Sequence, residues 1–186
     1  MRTYFLDEHN RHIAGNAFMK CLPIFTKSEY NKSQNQLLKR GSQMNCHTGS
    51  EPWNHAAALF IRMNVFVQER HIAIADEFDD NDTPEMIYAV CYADDETPVA
   101  TGRFQTIDAT TMRPGRIATL KEYRGQHLGA QIIAALETVG REKGFKSSLI
   151  HSELTAQKFY EKQGYHVVSD IYEEEGVPCV NVEKTL

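Results

Sequence analysis

Two glycines at the start of an amphipathic run are the first residues of this sequence that suggest chemistry. They are Gly125 and Gly129, in the stretch YRGQHLGAQ from Tyr123 to Gln131. A helix N-terminus carries unpaired backbone N–H groups and about half a positive charge, and small residues let a phosphate approach it closely. The stretch is therefore typical of a phosphate loop, or else of a connecting turn in which Gly129 permits tight helix packing.

The spacing of the glycines excludes two common phosphate motifs. No Gly-Lys-Ser/Thr follows, so the stretch is not a Walker loop, and glycines four residues apart do not form G-x-G-x-x-G. The strand-like residues GRIATL (115–120) precede the loop, and a helix-like run follows it directly. This strand-loop-helix context is the one that a phosphate motif requires.

The elements that must position the loop alternate in type along the chain. Apolar residues at steps of three and four predict a first helix, capped by Ser50 with Pro52 in its first turn, and a second helix over 128–144 that ends at Gly144. The other predicted elements are strands at 86–93, 98–107, 115–120, 147–151, 165–172 and 178–184, and a short helix at 155–164. The order predicts an α/β layered fold with a mixed sheet, not a doubly wound parallel one.

Length, charge and hydropathy exclude several classes of protein. A chain of 186 residues favours one domain, or one domain plus an appendage. No apolar run reaches the roughly 18 to 20 residues that a membrane span needs, and the N-terminus lacks the apolar centre of a secretory signal. A net charge of −5 argues against non-specific nucleic-acid binding. We expect a cytoplasmic protein with neither a membrane nor a nucleic-acid partner.

The four cysteines, Cys21, Cys46, Cys91 and Cys179, are scattered along the chain. They form no C-x-x-C pair, so they give neither a zinc spacing nor a dense disulfide framework. The acidic run near Asp79 lacks the central glycine and terminal glutamate of a calcium loop. We therefore expect reduced thiols and no metal site.

Residues 1–42 differ in composition from the rest of the chain. The stretch TKSEYNKSQNQLLKRGSQ is polar and has little to bury. We expect a peripheral or partly ordered extension in front of a compact domain at 43–186. An arm that binds a partner or caps a homodimer is the alternative.

Two motifs in the compact part resemble those of a known family. YRGQHLG resembles the R/Q-x-x-G-x-G/A acetyl-CoA signature of the GNAT family of N-acetyltransferases, with Arg124 on its first position and Gly129 on its last glycine. AQKFYEKQGY resembles the later A-x-x-x-Y-x-x-x-G-F/Y segment of the same family. The resemblance covers about residues 44–186. The stretches IRMNVFVQER, DEFDDND and EEEGVPCVNVEK are similar to those of the ElaA-like (YjcF-like) subgroup.

The resemblance implies a fold and a cosubstrate. The fold would be a mixed, mostly antiparallel sheet with helices on both faces, in three α/β/α layers, and the cosubstrate would be acetyl-CoA. The residues that would contact acetyl-CoA are Ile117, Ala118 and Thr119 on the pantetheine arm, and Arg124, Gly125, Gln126, His127, Leu128, Gly129 and Ala130 around the pyrophosphate. His127 takes the place of the middle glycine of the signature, which we expect to be tolerated if its φ is negative.

Acetyl transfer to an amine needs a proton acceptor for the amine and benefits from a proton donor to the leaving thiolate. The resemblance assigns the donor role to Tyr160. The glutamate that family members often carry as the base is replaced by Ser148. The substitute candidates are Glu69, His151 and Glu153; an amine that is already deprotonated could also react without any of them.

Arg62 and Arg103 are charged residues within apolar runs. They could anchor a carboxylate or phosphate of the substrate, or form a buried ion pair with Glu69 or Asp79. Asp79 belongs to an acidic run that could attract a cationic amine, or could be a solvated loop.

The sequence thus predicts an acetyl-CoA-dependent N-acetyltransferase that acts directly, in a ternary complex, on the primary amine of a small molecule or peptide. An acyl-homoserine-lactone-synthase-like acyltransferase is one alternative. A non-catalytic acetyl-CoA sensor is another, supported by the missing glutamate at Ser148. A homodimer stays open.

Overall fold

Antiparallel strand pairing dominates the part of the chain that the computed structural model describes, residues 44–94 and 96–186. The expectations for residues 1–42 lie outside this part. The described elements are β1 (Asn45–Gly49), α1 (Pro52–Arg62), a π-helix (Met63–Glu69), α2 (Ile74–Glu77), β2 (Tyr88–Tyr92), β3 (Pro98–Thr106), β4 (Thr111–Thr119), a 3-10 turn (Lys121–Tyr123), α3 (Leu128–Glu142), β5 (Ser147–Glu153), a second 3-10 turn (Leu154–Ala156), α4 (Gln157–Glu161), β6 (His166–Val167), β7 (Tyr172–Glu174) and β8 (Val177–Thr185).

The eight strands form one mixed sheet in the order β1-β2-β3-β4-β5-β8-β6, with β7 paired to β8. The pairing of β4 with β5 is parallel, and the other described pairings are antiparallel. Helix α3 connects β4 to β5, as a parallel crossover requires. The predicted α/β fold with a mixed, mostly antiparallel sheet is confirmed.

Helices cover both faces of the sheet. Tyr88 and Val90 pack in one core with the apolar side of α1, whereas Ala89 and Cys91 pack in another with Ile132 and Leu136 of α3. Successive residues of a strand point to opposite faces, so α1 and α3 lie on opposite sides of β2. This is the three-layer arrangement that the family resemblance implied.

The first predicted helix differs from its expected form in two ways. The residue before α1 is Glu51, which makes no side-chain cap, so the predicted Ser50 cap is wrong. Pro52 does occupy the first turn, where its missing N–H costs no hydrogen bond. After Arg62 the helix widens into a π-helix that ends at Glu69. Local π-helical turns are often found at functional sites, and this one delivers Glu69 to the loop described below.

The expectation of reduced thiols is wrong for two of the four cysteines. Cys46 and Cys91 form a disulfide between β1 and β2, where they stand directly opposite each other in register. The strand β1 has the sequence NCHTG, which carries no apolar alternation, so its pairing with β2 was not predicted. Without that pairing nothing brings two cysteines that are 45 residues apart together.

Candidate active site

A gap between β4 and β5 is the central feature of the site. These two parallel strands pair only through Thr111 with Ser147 and Met112 with Ser148. Beyond that point no further residue pairs join them in the described chain, although β4 remains paired to β3 up to Thr119. The strands therefore separate toward their C-terminal ends, and one edge of β4 is left open to a ligand.

An irregularity in β4 accompanies this separation. Arg116 has a φ of 50°, and the register with β3 shifts between Thr101 and Arg103. An extra residue of this kind bends a strand and increases its twist. The residues on the open segment that follows are those predicted to contact the pantetheine arm, namely Ile117, Ala118 and Thr119.

The loop between β4 and α3 presents unpaired backbone donors. The first backbone hydrogen bond of α3 runs from the Gln131 N–H to the His127 carbonyl, at 3.2 Å. In the described chain the N–H groups of Leu128, Gly129 and Ala130 therefore have no backbone acceptor, and His127 adds no side-chain cap. Such donors, together with the positive end of the helix dipole, suit a phosphate group.

His127 differs from its expected conformation. Its φ is 60°, in the left-handed region, so the expectation of a negative φ is wrong. Gly125 also has a positive φ, of 78°, so two of the three residues directly before α3 are in the left-handed region. Histidine is among the non-glycine residues enriched at positive φ, so it can stand where the signature has glycine.

Gly129 has a packing role as well. A Cβ at this position would lie 3.1 Å from Cζ of Phe159 in α4, tighter than ordinary van der Waals contact. The glycine thus lets α4 approach the start of α3. Because Tyr160 follows Phe159 directly, this contact also sets how closely Tyr160 lies to the loop.

Glu69 and Arg124 connect the π-helix to the loop. Nη1 of Arg124 lies 2.8 Å from Oε1 of Glu69, and Nη2 lies 2.7 Å from Oε2. The Arg124 Nε–H also donates to the Thr119 carbonyl, at 3.1 Å. Arg124 holds the pKa of the Glu69 carboxyl below its usual value. The predicted base candidate Glu69 is therefore engaged by a residue of the predicted cosubstrate loop.

The next residue, Arg70, reaches the other side of the gap. Its guanidinium pairs with Glu153 at the end of β5, with Nη2 2.5 Å from Oε1. Glu69 thus binds Arg124, which follows β4, and Arg70 binds Glu153, which ends β5. The end of the π-helix therefore spans the gap between the two strands.

Tyr160 lies on α4 with its ring 5.1 Å from that of Phe159 and 6.1 Å from that of Tyr165. Its hydroxyl forms no hydrogen bond to any described residue. Burial, and to a lesser degree the charge of Glu153, raise the pKa of Tyr160 to about 12. The hydroxyl is therefore protonated at neutral pH and free to donate.

His151 lies on β5 beside a cation, Arg113, that was not predicted as a site residue. Nη2 of Arg113 lies 3.2 Å from His151 Nδ1, and Oε2 of Glu174 lies 3.6 Å from the same nitrogen. Since a guanidinium can only donate, Nδ1 accepts and the proton of the neutral ring stands on Nε2. Burial, with a smaller effect of Arg113, lowers the pKa of His151.

Arg62, Arg103 and Asp79 lie together in a buried ion network. Arg62 is fully buried; its Nε lies 2.6 Å from Oε1 of Glu77 and its Nη1 lies 2.6 Å from Oδ1 of Asp82. Arg103 pairs with both oxygens of Asp79, at 2.7 and 2.9 Å. The ion-pair interpretation therefore matches the structure, with Asp79 and not Glu69 as the partner of Arg103. The guanidiniums of Arg62 and Arg103 are not open to a substrate.

Ser148, at the position where the family often has a glutamate, is buried and bound to Tyr165. The two hydroxyl oxygens lie 2.7 Å apart. Neither group reaches solvent, so neither takes a proton from an amine in this conformation.

The cations that complete the site, Arg70 and Arg113, were missed because a lone arginine in a sequence does not reveal its partner across the sheet.

Two kinds of structure are absent from the described residues. No group of three or more His, Cys, Asp or Glu residues in the described chain is placed to hold a metal ion. No helix among them is long and apolar enough to cross a bilayer.

Comparison with known proteins identifies the class. Residues 68–186, more than half of the chain, match the family model described as the acetyltransferase (GNAT) domain. An uncharacterised acetyltransferase of Streptococcus pyogenes is 44% identical over 113 residues, which span 61% of this chain and 77% of that protein. The chain belongs to the GNAT family, and it is a GNAT-family N-acetyltransferase.

Solved structures agree with this assignment. The crystal structure of an inferred N-acetyltransferase from Lactobacillus plantarum is 42% identical, with a TM-score of 0.74, and the match covers 77% of this chain and 98% of that one. Two more distant structures share the fold alone, each with a TM-score of 0.65. They are Escherichia coli ElaA, 24% identical over 76% of this chain and 99% of its own, and the coenzyme-A-dependent acyl-homoserine lactone synthase BjaI, 15% identical over 76% and 83%.

Proposed function

We propose that the protein transfers an acetyl group from acetyl-CoA to the primary amine of a small molecule or peptide, by direct attack in a ternary complex. The gap between β4 and β5, with the unpaired helix donors and the helix α4 that carries Tyr160 at its open end, is the observation that carries the proposal. An extended thioester fits such a gap because its pantetheine arm can pair with an open strand edge.

Each part of acetyl-CoA has a counterpart in the chain. The open edge of β4 at Ile117, Ala118 and Thr119 would pair with the amides of the pantetheine arm. The backbone N–H groups of the loop would bind the pyrophosphate; the loop residues are Arg124, Gly125, Gln126, His127, Leu128, Gly129 and Ala130. Arg124, which is paired with Glu69, would stabilise the conformation of the loop. The backbone N–H groups, and not the Arg124 guanidinium, would bind the phosphate.

The acetyl transfer requires two proton transfers, one to the leaving sulfur and one from the attacking amine. The neutral amine attacks the thioester carbonyl, the C–N bond forms, and the C–S bond then breaks. Tyr160 gives its proton to the departing sulfur, and its raised pKa of about 12 keeps that proton in place at neutral pH. The ammonium proton of the adduct leaves to a base.

We assign the base to Glu153. It is the last residue of β5, one of the two strands that border the gap, and its charge contributes to the raised pKa of Tyr160. Its ion pair with Arg70 is exposed at the surface, and exposed pairs hold a carboxylate only weakly. By contrast, Glu69 is bound by both prongs of Arg124, and the Nδ1 atom of His151 already accepts from Arg113.

The other parts of the proposal follow from the same class. The acceptor is an amine, not a nucleic acid or a membrane lipid, and the chain acts alone or as a homodimer. We place the enzyme in the cytoplasm. The Cys46–Cys91 disulfide is the observation against this location, because cytoplasmic thiols are mostly kept reduced.

A coenzyme A release assay tests the proposal. Acetyl-CoA is incubated with the protein and a panel of primary amines, amino acids and short peptides, and free thiol is followed with a chromogenic disulfide. We expect amine-dependent thiol release, reduced in Glu153→Gln more than in His151→Asn. Binding of acetyl-CoA without release would favour the sensor, and release that requires S-adenosylmethionine would favour the synthase.

A further inference from the structure

A second cavity opens at the edge of the sheet, away from the gap between β4 and β5. It has a volume of about 540 Å³, within the range of small-molecule sites. Its lining residues are Asn45, Cys46, His47, Trp53, Tyr92 and Glu96. Strands β1 and β2, which line the cavity, lie three and two places from β4 in the sheet, about 10 to 14 Å at the usual strand spacing.

Aromatic rings form the walls of this edge cavity. The rings of His47 and Trp53 have centroids 4.7 Å apart, and those of Trp53 and Tyr92 lie 6.0 Å apart. Trp53 is 55% exposed, which is unusual for the largest apolar side chain. The indole therefore leaves more than half of its surface open to a ligand beside the Tyr92 ring.

Hydrogen bonds hold the Tyr92 ring in place. The Tyr92 hydroxyl donates to Oδ1 of Asn54 at 2.9 Å. The amide of Asn54 in turn donates to the carbonyls of Gly49 and Tyr88, at 3.1 and 3.0 Å. The second ring is therefore fixed to the ends of β1 and β2 before any ligand arrives.

The charges around the edge cavity are negative. Glu96 lines it directly, and Glu51 accepts a hydrogen bond from His47 at 3.0 Å. No Lys or Arg is among the described residues that line it. The positive end of the α1 dipole lies at the same place, and the Glu51 carboxylate, which directly precedes the helix, offsets it.

We propose that this edge cavity binds an alkylated ammonium group through the faces of Trp53 and Tyr92, with Glu96 as the counter-charge. Cations are attracted to the negative faces of aromatic rings, most strongly to tryptophan, and methylated ammonium groups are bound in cages of this kind. A carboxylate that supplements the rings selects a cation over a neutral apolar group. The ligand is either a free quaternary ammonium compound such as choline or a methylated lysine of a peptide. The inference does not depend on the acetyl-transfer reaction.

The intrinsic fluorescence of the full chain tests this inference, because Trp53 is its one tryptophan. The protein is titrated with choline and with the carbon isostere of choline, in which a tert-butyl group replaces the trimethylammonium group. We expect a saturable change with choline and about tenfold weaker binding of the isostere, the factor that a cation–π contribution of 1.4 kcal/mol gives. Equal binding of the two, or no saturable change with choline or a trimethyllysine peptide, would overturn the inference.

Variants assign the binding to the edge cavity. Glu96→Gln removes an exposed charge without disturbing a packed side chain, and Tyr92→Leu removes one ring; we expect each to weaken choline binding. Phe60→Ala, which removes another exposed aromatic ring from α1, should leave it unchanged. Unchanged binding in Glu96→Gln and Tyr92→Leu together contradicts the assignment.

A trimethyllysine peptide that binds more tightly than choline indicates a modified protein as the source, and the reverse indicates a free metabolite.

Discussion

Glu69 and Arg124 form a two-pronged ion pair, at 2.8 and 2.7 Å, that joins the end of the π-helix to the loop before α3. One partner was predicted as a base and the other as a cosubstrate contact. Because they pair with each other, both residues stabilise the conformation of the loop. Both residues therefore shape the cosubstrate site, and neither is assigned a role in proton transfer.

This relationship predicts the kinetic effect of breaking the pair. Glu69→Gln should raise the KM for acetyl-CoA about two- to fivefold, because an exposed ion pair is worth up to about 1 kcal/mol, and should leave kcat nearly unchanged. Arg141→Ala, which removes an exposed arginine that pairs with the buried Glu137 toward the far end of α3, is the control and should change neither. A large fall in kcat with an unchanged KM would instead return Glu69 to the role of base.

His151 should titrate below its usual range. Burial and Arg113 both disfavour the imidazolium, so its folded pKa is lowered. As the pH falls below the ordinary value, the unfolded chain takes up this proton before the folded one does, and the free energy of unfolding decreases. In NMR titrations Arg113→Gln should raise the pKa of His151 relative to the wild type. An unchanged or lower pKa in Arg113→Gln would contradict the geometry.

The buried ion network should be needed for stability. Arg62→Met leaves Glu77 and Asp82 without their main partner, which should cost about 3 to 5 kcal/mol of unfolding free energy in denaturant titrations. Arg70→Met makes the same exchange at an exposed pair and should cost less than about 1 kcal/mol. Equal effects of the two changes would show that Arg62 is not part of a buried network.

The disulfide between β1 and β2 should be detectable in the purified protein. After unfolding without reductant, Cys46 and Cys91 should resist alkylation, and peptide mapping should recover them as a linked pair. Replacing both with serine should lower the free energy of unfolding by about 2 to 4 kcal/mol, since the bond closes a long loop. Cys179→Ser removes a buried free thiol and is the control. Full alkylation of Cys46 and Cys91 without reductant would contradict the bond.

Local patterns predicted the features that depend on neighbouring residues. The α3 periodicity, the loop ahead of it and the short helix that carries Tyr160 are each contained within a few turns of chain, so spacing alone located them. The family resemblance then connected the loop to Tyr160. Gly129 makes the tight helix contact, with Phe159, that was one of the two interpretations considered for it.

Features that depend on strand register were not predictable. Arg113 meets His151 only because its side chain reaches from β4 to β5 just beyond their last paired residues, and Arg70 meets Glu153 only because the end of the π-helix lies across the gap. The left-handed φ of His127 also escaped prediction, since the residue type permits either sign. Long-range pairing of this kind has no signature in a single sequence.

The kcat of Tyr160→Phe with acetyl-CoA and the best amine of the panel tests the central claim most directly. The change removes one hydroxyl and keeps the ring contacts with Phe159 and Tyr165. The control is Tyr165→Phe, which removes a neighbouring buried hydroxyl that is bound to Ser148. We expect kcat at neutral pH to fall about 10²-fold or more in Tyr160→Phe, the usual scale of general acid catalysis, and to stay near the wild-type value in Tyr165→Phe. A Tyr160→Phe enzyme with the wild-type kcat would contradict the account.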